Sequence, residues 1–239
     1  MRARVLATCL ALAAQSHAQT EPLPDDADAH HKGLPDRPRA MAEVGLGWLV
    51  LPAAEVCVER DIAGCTKGDS SFELDAFQLY RAHPTFAVGA GVTLGLTPTT
   101  DAPRQDPPGV SRDHSRGYFT VEAIARYYPY SEDPFEFWFG LTSGLVVVSD
   151  RFESTEGKSD RALVGPRGVT IRSEGYTVGL ATGAAYQFAP RWSVGAGLRY
   201  GSWFLPETPQ TDPLGDEASL VGQNDVFSVL LSVAYSIRL

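Results

Sequence analysis

Three groups of side chains in this 239-residue chain have the types needed for chemistry. Asp113-His114-Ser115 holds an acid, a base and a hydroxyl, the set that activates a serine nucleophile. Consecutive side chains diverge, however, so neighbours in sequence rarely bring base and nucleophile together. His30-His31 could offer imidazole nitrogens to a metal ion. Two adjacent histidines in a proline-rich stretch define no coordination geometry. Cys57 and Cys65 could form a disulfide or bind a metal, but Val58 to Gly64 supplies no histidine to complete a metal set, so in an exported chain a disulfide is expected. His83 lies in a short turn and is expected to be solvated. On these grounds no catalytic residue, no metal ligand and no cofactor is assigned.

The elements that must position these residues begin with an address. Arg2 and Arg4, the apolar run Val5 to Ala14, and Ser16-His17-Ala18 before Gln19 read as a signal peptide over residues 1–18. Cys9 follows Leu6-Ala7-Thr8, but a lipoprotein cut there would leave too little apolar core before it. Removing the leader takes two arginines and no acid, moving the formal charge from −9 to −11. Such a chain offers no basic patch, so a nucleic-acid partner is excluded. Residues 19–40, with Pro22, Pro24, Pro35 and Pro38, form a linker without apolar periodicity.

From Met41 the chain alternates with period two in eight segments. The first, 41–51, sets Val44, Leu46 and Trp48 against Glu43, Gly45 and Gly47. Segment 72–81 slips phase near Ala76-Phe77, which predicts a bulge. Segments 85–96, 117–128, 135–148, 175–188 and 191–203 repeat the scheme with large apolar residues on one face and Gly, Ala, Ser or Thr on the other. The last, 225–239, sets Phe227, Val229, Leu231, Val233, Tyr235, Ile237 and Leu239 against a mostly small or polar face. The connections alternate long and short: 52–71, 97–116, 149–174 and 204–224 are long, and the three between them are short.

The small-residue face decides where the large one points. A soluble ligand-binding barrel needs charges outside, and Gly, Ser, Thr and Ala would solvate an outer surface poorly. Small residues suit a narrow interior instead. The large apolar face then points outward, where lipid accepts it, and Trp48, Tyr127, Phe135, Tyr186, Phe188, Trp192 and Tyr235 fall near strand ends as interfacial aromatics do. No apolar run approaches the ~20 residues of a membrane helix. The fold class is therefore all-β: an eight-stranded antiparallel up-and-down transmembrane barrel over residues 41–239.

Over that range the chain resembles the small eight-stranded outer-membrane barrels of Gram-negative bacteria, the class of the OmpA transmembrane domain and the OmpX/Ail adhesins. The resemblance implies residence in the bacterial outer membrane, with lipid as partner. It also implies that the C-terminal strand is read by the barrel assembly machinery, although members usually end in Phe or Trp and this chain ends in Leu239. No peptidoglycan-binding domain is read after the barrel.

Inside such a barrel Glu43, Glu122, Glu136, Arg126, Arg199 and Arg238 are expected to form an ion-pair network that plugs the lumen, because buried charges must be paired. Arg238 is expected to point inward towards a carboxylate. The long loops, rich in Pro, Gly, Asp and Ser, are expected to shield the rim and could take an unidentified surface ligand. The resulting reading is a non-enzymatic barrel with a structural or surface-interaction role. The alternatives are a narrow channel and a lipid-modifying enzyme.

Overall fold

The structure is a computed structural model that describes residues 38–55, 67–95, 112–132, 134–154, 168–212 and 217–239. The leader, linker residues 19–37, His30-His31 and the Cys57–Cys65 pair lie outside the described residues, and Arg39 and Ala40 of the expected linker belong to the first strand. Period-two alternation becomes β1 (Arg39–Glu55), β2 (Lys67–His83), β3 (Phe86–Gly95) and β4 (Arg112–Glu132) in the first half. The second half forms β5 (Phe135–Ser154), β6 (Gly168–Ala189), β7 (Trp192–Phe204) and β8 (Gln223–Arg238). Each strand pairs antiparallel with its sequence neighbour, and β1 pairs with β8 to close the ring. Closure leaves no sheet edge, which a lipid environment would not tolerate.

Both faces follow the alternation. Val44, Leu46, Val121, Leu141, Leu145, Leu180, Val229 and Leu231 face outward and are exposed, Leu145 and Leu231 by 64% and 65%. The belt is bordered at both ends by aromatic pairs. Trp48 meets Phe72 edge-on at 4.4 Å and Tyr176 stacks on Phe204 at 4.7 Å towards the long loops. Phe135–Tyr186 and Trp192–Tyr235 lie towards the short turns, at 5.0 and 4.9 Å. A closed ring wrapped in exposed Leu, Val and Phe is a membrane-spanning barrel: water would not accept so continuous an apolar surface.

The bulge expected at Ala76-Phe77 is absent. β1 and β2 pair without interruption from Arg39↔Arg81 to Leu51↔Asp69, and the irregularity lies higher, between Leu51 and Glu55. Phe77 and Leu79 face inward instead of outward and are buried. They fit because β3 presents glycines to them: a Cβ on Gly91 would collide with the Phe77 ring, and one on Gly89 would approach the Leu79 side chain to 2.7 Å. Large residues on β2 fill the space that glycines on β3 leave. The alternation of β2 is therefore regular, with apolar residues on both faces.

The β1–β2, β3–β4 and β5–β6 connections are shorter than the sequence suggests, the first because β1 runs to Glu55 and β2 starts at Lys67. β4 begins at Arg112, β5 runs to Ser154 and β6 starts at Gly168, so these three strands extend beyond the aromatic border. Above it the interior closes over apolar residues, among them Leu51, Tyr118, Val146, Val148, Trp203 and Val226. The β7–β8 connection is not a purely solvated loop. Its Leu205 and Leu220 join that cluster, and Ala218 packs with Phe152 and Ile171. Backbone hydrogen bonds from Leu205 N to Gly222 O (2.9 Å) and Ala218 N to Gln210 O (2.8 Å) fold the segment onto the mouth.

Candidate functional site

The lumen is stacked in charged levels, each assembled from strands distant in sequence. Nearest the short turns, Arg81 is buried and its Nη1 donates to Glu136 Oε1 at 2.7 Å. Its Nε donates to Pro84 O at 3.0 Å, and Ser131 Oγ donates to the same Glu136 oxygen at 2.8 Å. The Arg81 guanidinium lies 4.0 Å over the Tyr128 ring, a cation–π contact that compensates part of its desolvation. At the next level Arg126 grips Glu43 with two parallel bonds, 2.7 and 3.0 Å, and stacks 3.9 Å over Trp138. A planar guanidinium fork matches a carboxylate in this way, and its always-charged head needs such a partner when buried.

Higher still, Arg199 Nη2 donates to Asp75 at 3.2 Å and its Nη1 lies 3.5 Å from Glu122 Oε2. Glu73 is fully buried on the same strand as Asp75. Beside these levels a cavity of about 40 Å³ runs against the small-residue wall that includes Ala185, Ser193, Gly195, Gly197, Ser232 and Ala234.

The uppermost level sits above the aromatic border, under the folded β7–β8 segment. Asp150 is its centre. Ser219 donates to it through both its backbone N (3.1 Å) and its Oγ (2.5 Å). His114 Nε2 lies 2.8 Å from Asp150 Oδ1, and Arg116 Nε donates to that oxygen at 3.2 Å. Arg116 also donates to Ser219 Oγ at 2.7 Å and to Asp69 at 3.0 Å, while Tyr118 donates to Asp69. Burial acts to raise the Asp150 pKa, but the hydrogen bonds from His114 and Ser219 and the Arg116 charge win and hold it below the ordinary value.

Of the residues singled out by sequence, Glu43 and Arg126 form one pair, Arg199 and Glu122 a second, and Glu136 meets Arg81. Their close ion pairs fall at successive levels along the lumen. Arg238 is not in the lumen: it pairs across from Arg39 at the last rung of β8 and is exposed. A long cation at the rim reaches water more cheaply than it would turn into the lumen. Phe227, Val229, Leu231, Val233, Ile237 and Leu239 are exposed on the outer face, and Tyr235 takes its place in the aromatic border.

Asp113-His114-Ser115 belongs to β4, not to a loop, so His114 and Ser115 face opposite sides of the sheet. His114 does meet an acid and a serine, namely Asp150 and Ser219, both remote in sequence. The order is wrong for nucleophile activation, because the serine hydroxyl bonds the carboxylate and Arg116, not the imidazole. All three are buried. Among the described residues, no three His, Cys, Asp or Glu side chains converge as a metal site.

Arg81 escapes sequence reading because the assumed slip reverses the half of β2 that follows Ala76-Phe77, whereas Glu73 and Asp75 precede the slip and carry no sequence signal beyond their charge. Unbroken alternation puts Arg81 inside with them. Arg116, Asp150 and Asp69 escaped because their segments read as loop.

No family model and no curated protein matches the chain. Solved structures do resemble it. A major outer membrane protein from Thermus thermophilus superposes with a TM-score of 0.50 at 15% identity, covering 83% of this chain and 99% of that one. Neisserial surface protein A gives 0.49 at 14% identity, covering 83% and 96%, and OprG from Pseudomonas aeruginosa gives 0.47 at 12%, covering 84% and 96%. The chain has the fold of the small outer-membrane β-barrels. At such identities the likeness extends to the fold alone.

Proposed function

We propose that this protein is a bacterial outer-membrane barrel without an open pore or an enzymatic activity, which serves envelope architecture or binding at the surface through its long-loop end. The mouth carries this reading. The β7–β8 segment lies across it, bonded to Asp150, with Leu205 and Leu220 in the apolar cluster beneath. Charged levels and the Phe77, Leu79 and Trp138 side chains occupy the lumen below, so water and ions lack a continuous route. Lipid is the partner of the outer belt. The outward residues of β8 are the segment we assign to recognition by the assembly machinery.

Reconstitution in planar bilayers tests the reading: the expected record at neutral pH has no steady conductance steps, and large long-lived openings overturn it. A narrow channel is the second reading, favoured by the cavity along Gly195, Gly197 and Ser232. It requires the β7–β8 segment to leave the mouth. The lipid-modifying reading lacks, among the described residues, a serine bonded to an imidazole, and His114, Asp150 and Ser219 are buried away from lipid.

A further inference from the structure

Three small cavities follow one another up the lumen. The lowest, about 20 Å³ at the short-turn mouth, lies between Arg81, Glu136, Ser193 and Ser236. The middle one, about 40 Å³, shares Met41, Glu136 and Ser193 with it and reaches Asp75 and Arg199. The highest, again about 20 Å³, begins at Arg199 and is ringed by Glu122, Thr120, Thr142 and Ser228. It ends against Leu49, Trp203 and Val226, members of the apolar cluster that closes the long-loop end. At the ~10–15 Å³ that one water needs, the series has room for several waters in a file.

Polar atoms mark the course. Tyr128 Oη and Asp75 Oδ1 on the middle cavity, and the Thr120, Thr142 and Ser228 hydroxyls on the highest, are buried without a hydrogen bond of ordinary geometry to a protein group. Water satisfies such groups where they border voids of its size. The side chains of Leu51, Val146, Val148 and Leu220 in the cluster above offer water no partner.

The file leads to an acid group. Asp75 and Glu122 share the Arg199 guanidinium, and Glu73 sits beside them, fully buried. The neighbouring strands β3, β5, β6 and β8 present the hydroxyls of Thr93, Thr142, Thr177 and Ser228, and β1 presents Leu49. The next charges below, Glu43 and Arg126, are paired with each other, as are Asp69 and Arg116 above. Three carboxylates therefore face one guanidinium, an imbalance that a membrane-embedded interior tolerates poorly. A proton on Glu73 reduces it with no added volume and makes the carboxyl a donor towards the facing Ser228 hydroxyl.

We propose that Glu73 carries a proton at neutral pH and exchanges it along this water file, from the short-turn side alone. Ser228 takes a proton from the last water and passes its own hydrogen to Glu73, so no charge is left on the serine. Steady conductance steps, with exchange still slowed by the plugs below, would fail the closed-mouth reading alone. Unslowed exchange without steps would fail this proposal alone.

Infrared spectroscopy of the full chain in lipid vesicles at neutral pH is the test. A neutral carboxyl has a carbonyl band of its own, which shifts when deuterium replaces its proton. The expected band vanishes in Glu73→Gln and, in the parent, shifts within the mixing time on transfer to heavy water. Ser193→Leu, between the lower two cavities, and Ser232→Leu, in the middle one, should each slow that shift roughly tenfold or more, since exchange then waits on local opening. Leu220→Ala, which loosens the apolar cluster at the other end, should leave the rate unchanged. Heat-modifiable gel migration establishes folding; if one plug does not fold the other decides, and if Glu73→Gln does not fold the plugs still decide. Absence of the band, its survival in Glu73→Gln, or a shift as fast in the plugged variants as in the parent overturns the proposal. Faster exchange in Leu220→Ala also overturns it, because the proton then arrives from the long-loop end.

Discussion

A guanidinium cannot shed its proton at any accessible pH, so Arg126 inside the lumen depends on Glu43 to remain solvated. Replacing Glu43 by Gln keeps the shape and removes the countercharge. The expected cost is about 3–5 kcal/mol, read as a lower urea midpoint for the barrel in lipid vesicles. Adding Arg126→Met to that variant should recover much of the loss, because no buried charge is then left alone. A Glu43→Gln variant as stable as the parent would mean that water reaches Arg126. At this scale Glu43, Arg126, Glu122 and Arg199 were legible in sequence: each is a charge on a face otherwise made of Gly, Ala, Ser and Thr. Arg81, the partner of Glu136, was hidden by Phe77 and Leu79, whose inward placement depends on glycines of the neighbouring strand.

The β7–β8 segment and the tall β4–β5–β6 hairpins form the element that decides whether the barrel is open. Asp150 accepts four hydrogen bonds there, two of them from Ser219. Asp150→Asn should weaken the docking by about 1.5–3 kcal/mol, the value of hydrogen bonds to a charged group, which raises opening roughly 10- to 100-fold. Limited proteolysis within residues 205–222 measures this, and unchanged cleavage would deny Asp150 the role. The same carboxylate sets a pH response. Its native pKa lies below its ordinary value of 3.8, so its stabilisation is present above that value and is lost as pH falls through the lower native one. Pepsin at acid pH should therefore find the segment open, whereas mild acidification should leave it docked.

Across the whole molecule the hydrophobic effect works in reverse of a soluble domain, with Leu and Val outside and Gly, Ser, Thr and paired charges within. Leu141, exposed by 63% on the outer belt, offers a direct check. Leu141→Arg should cost about 2–4 kcal/mol in bilayer-embedded barrel, by vesicle-based unfolding. A neutral effect there would mean that this wall meets water. Shape also follows from differences between strands. β4, β5 and β6 have 21, 20 and 22 residues, against 10 for β3 and 13 for β7, so the long-loop end rises on one side of the ring. The β7–β8 segment folds across to meet that taller wall.

Sequence alone determined the strand count, the antiparallel order and the outward face, because side-chain alternation and turn spacing are local and repeat eight times. It also determined that charges on the inner face must be paired. Tertiary structure decided which charge pairs with which, since each level joins strands that lie far apart in the chain. It decided that Phe77 faces inward, through the glycines of β3, and that His114 meets Asp150 and Ser219 beneath a folded connection. Those facts depend on the stagger of strands around a closed ring, which no single segment contains.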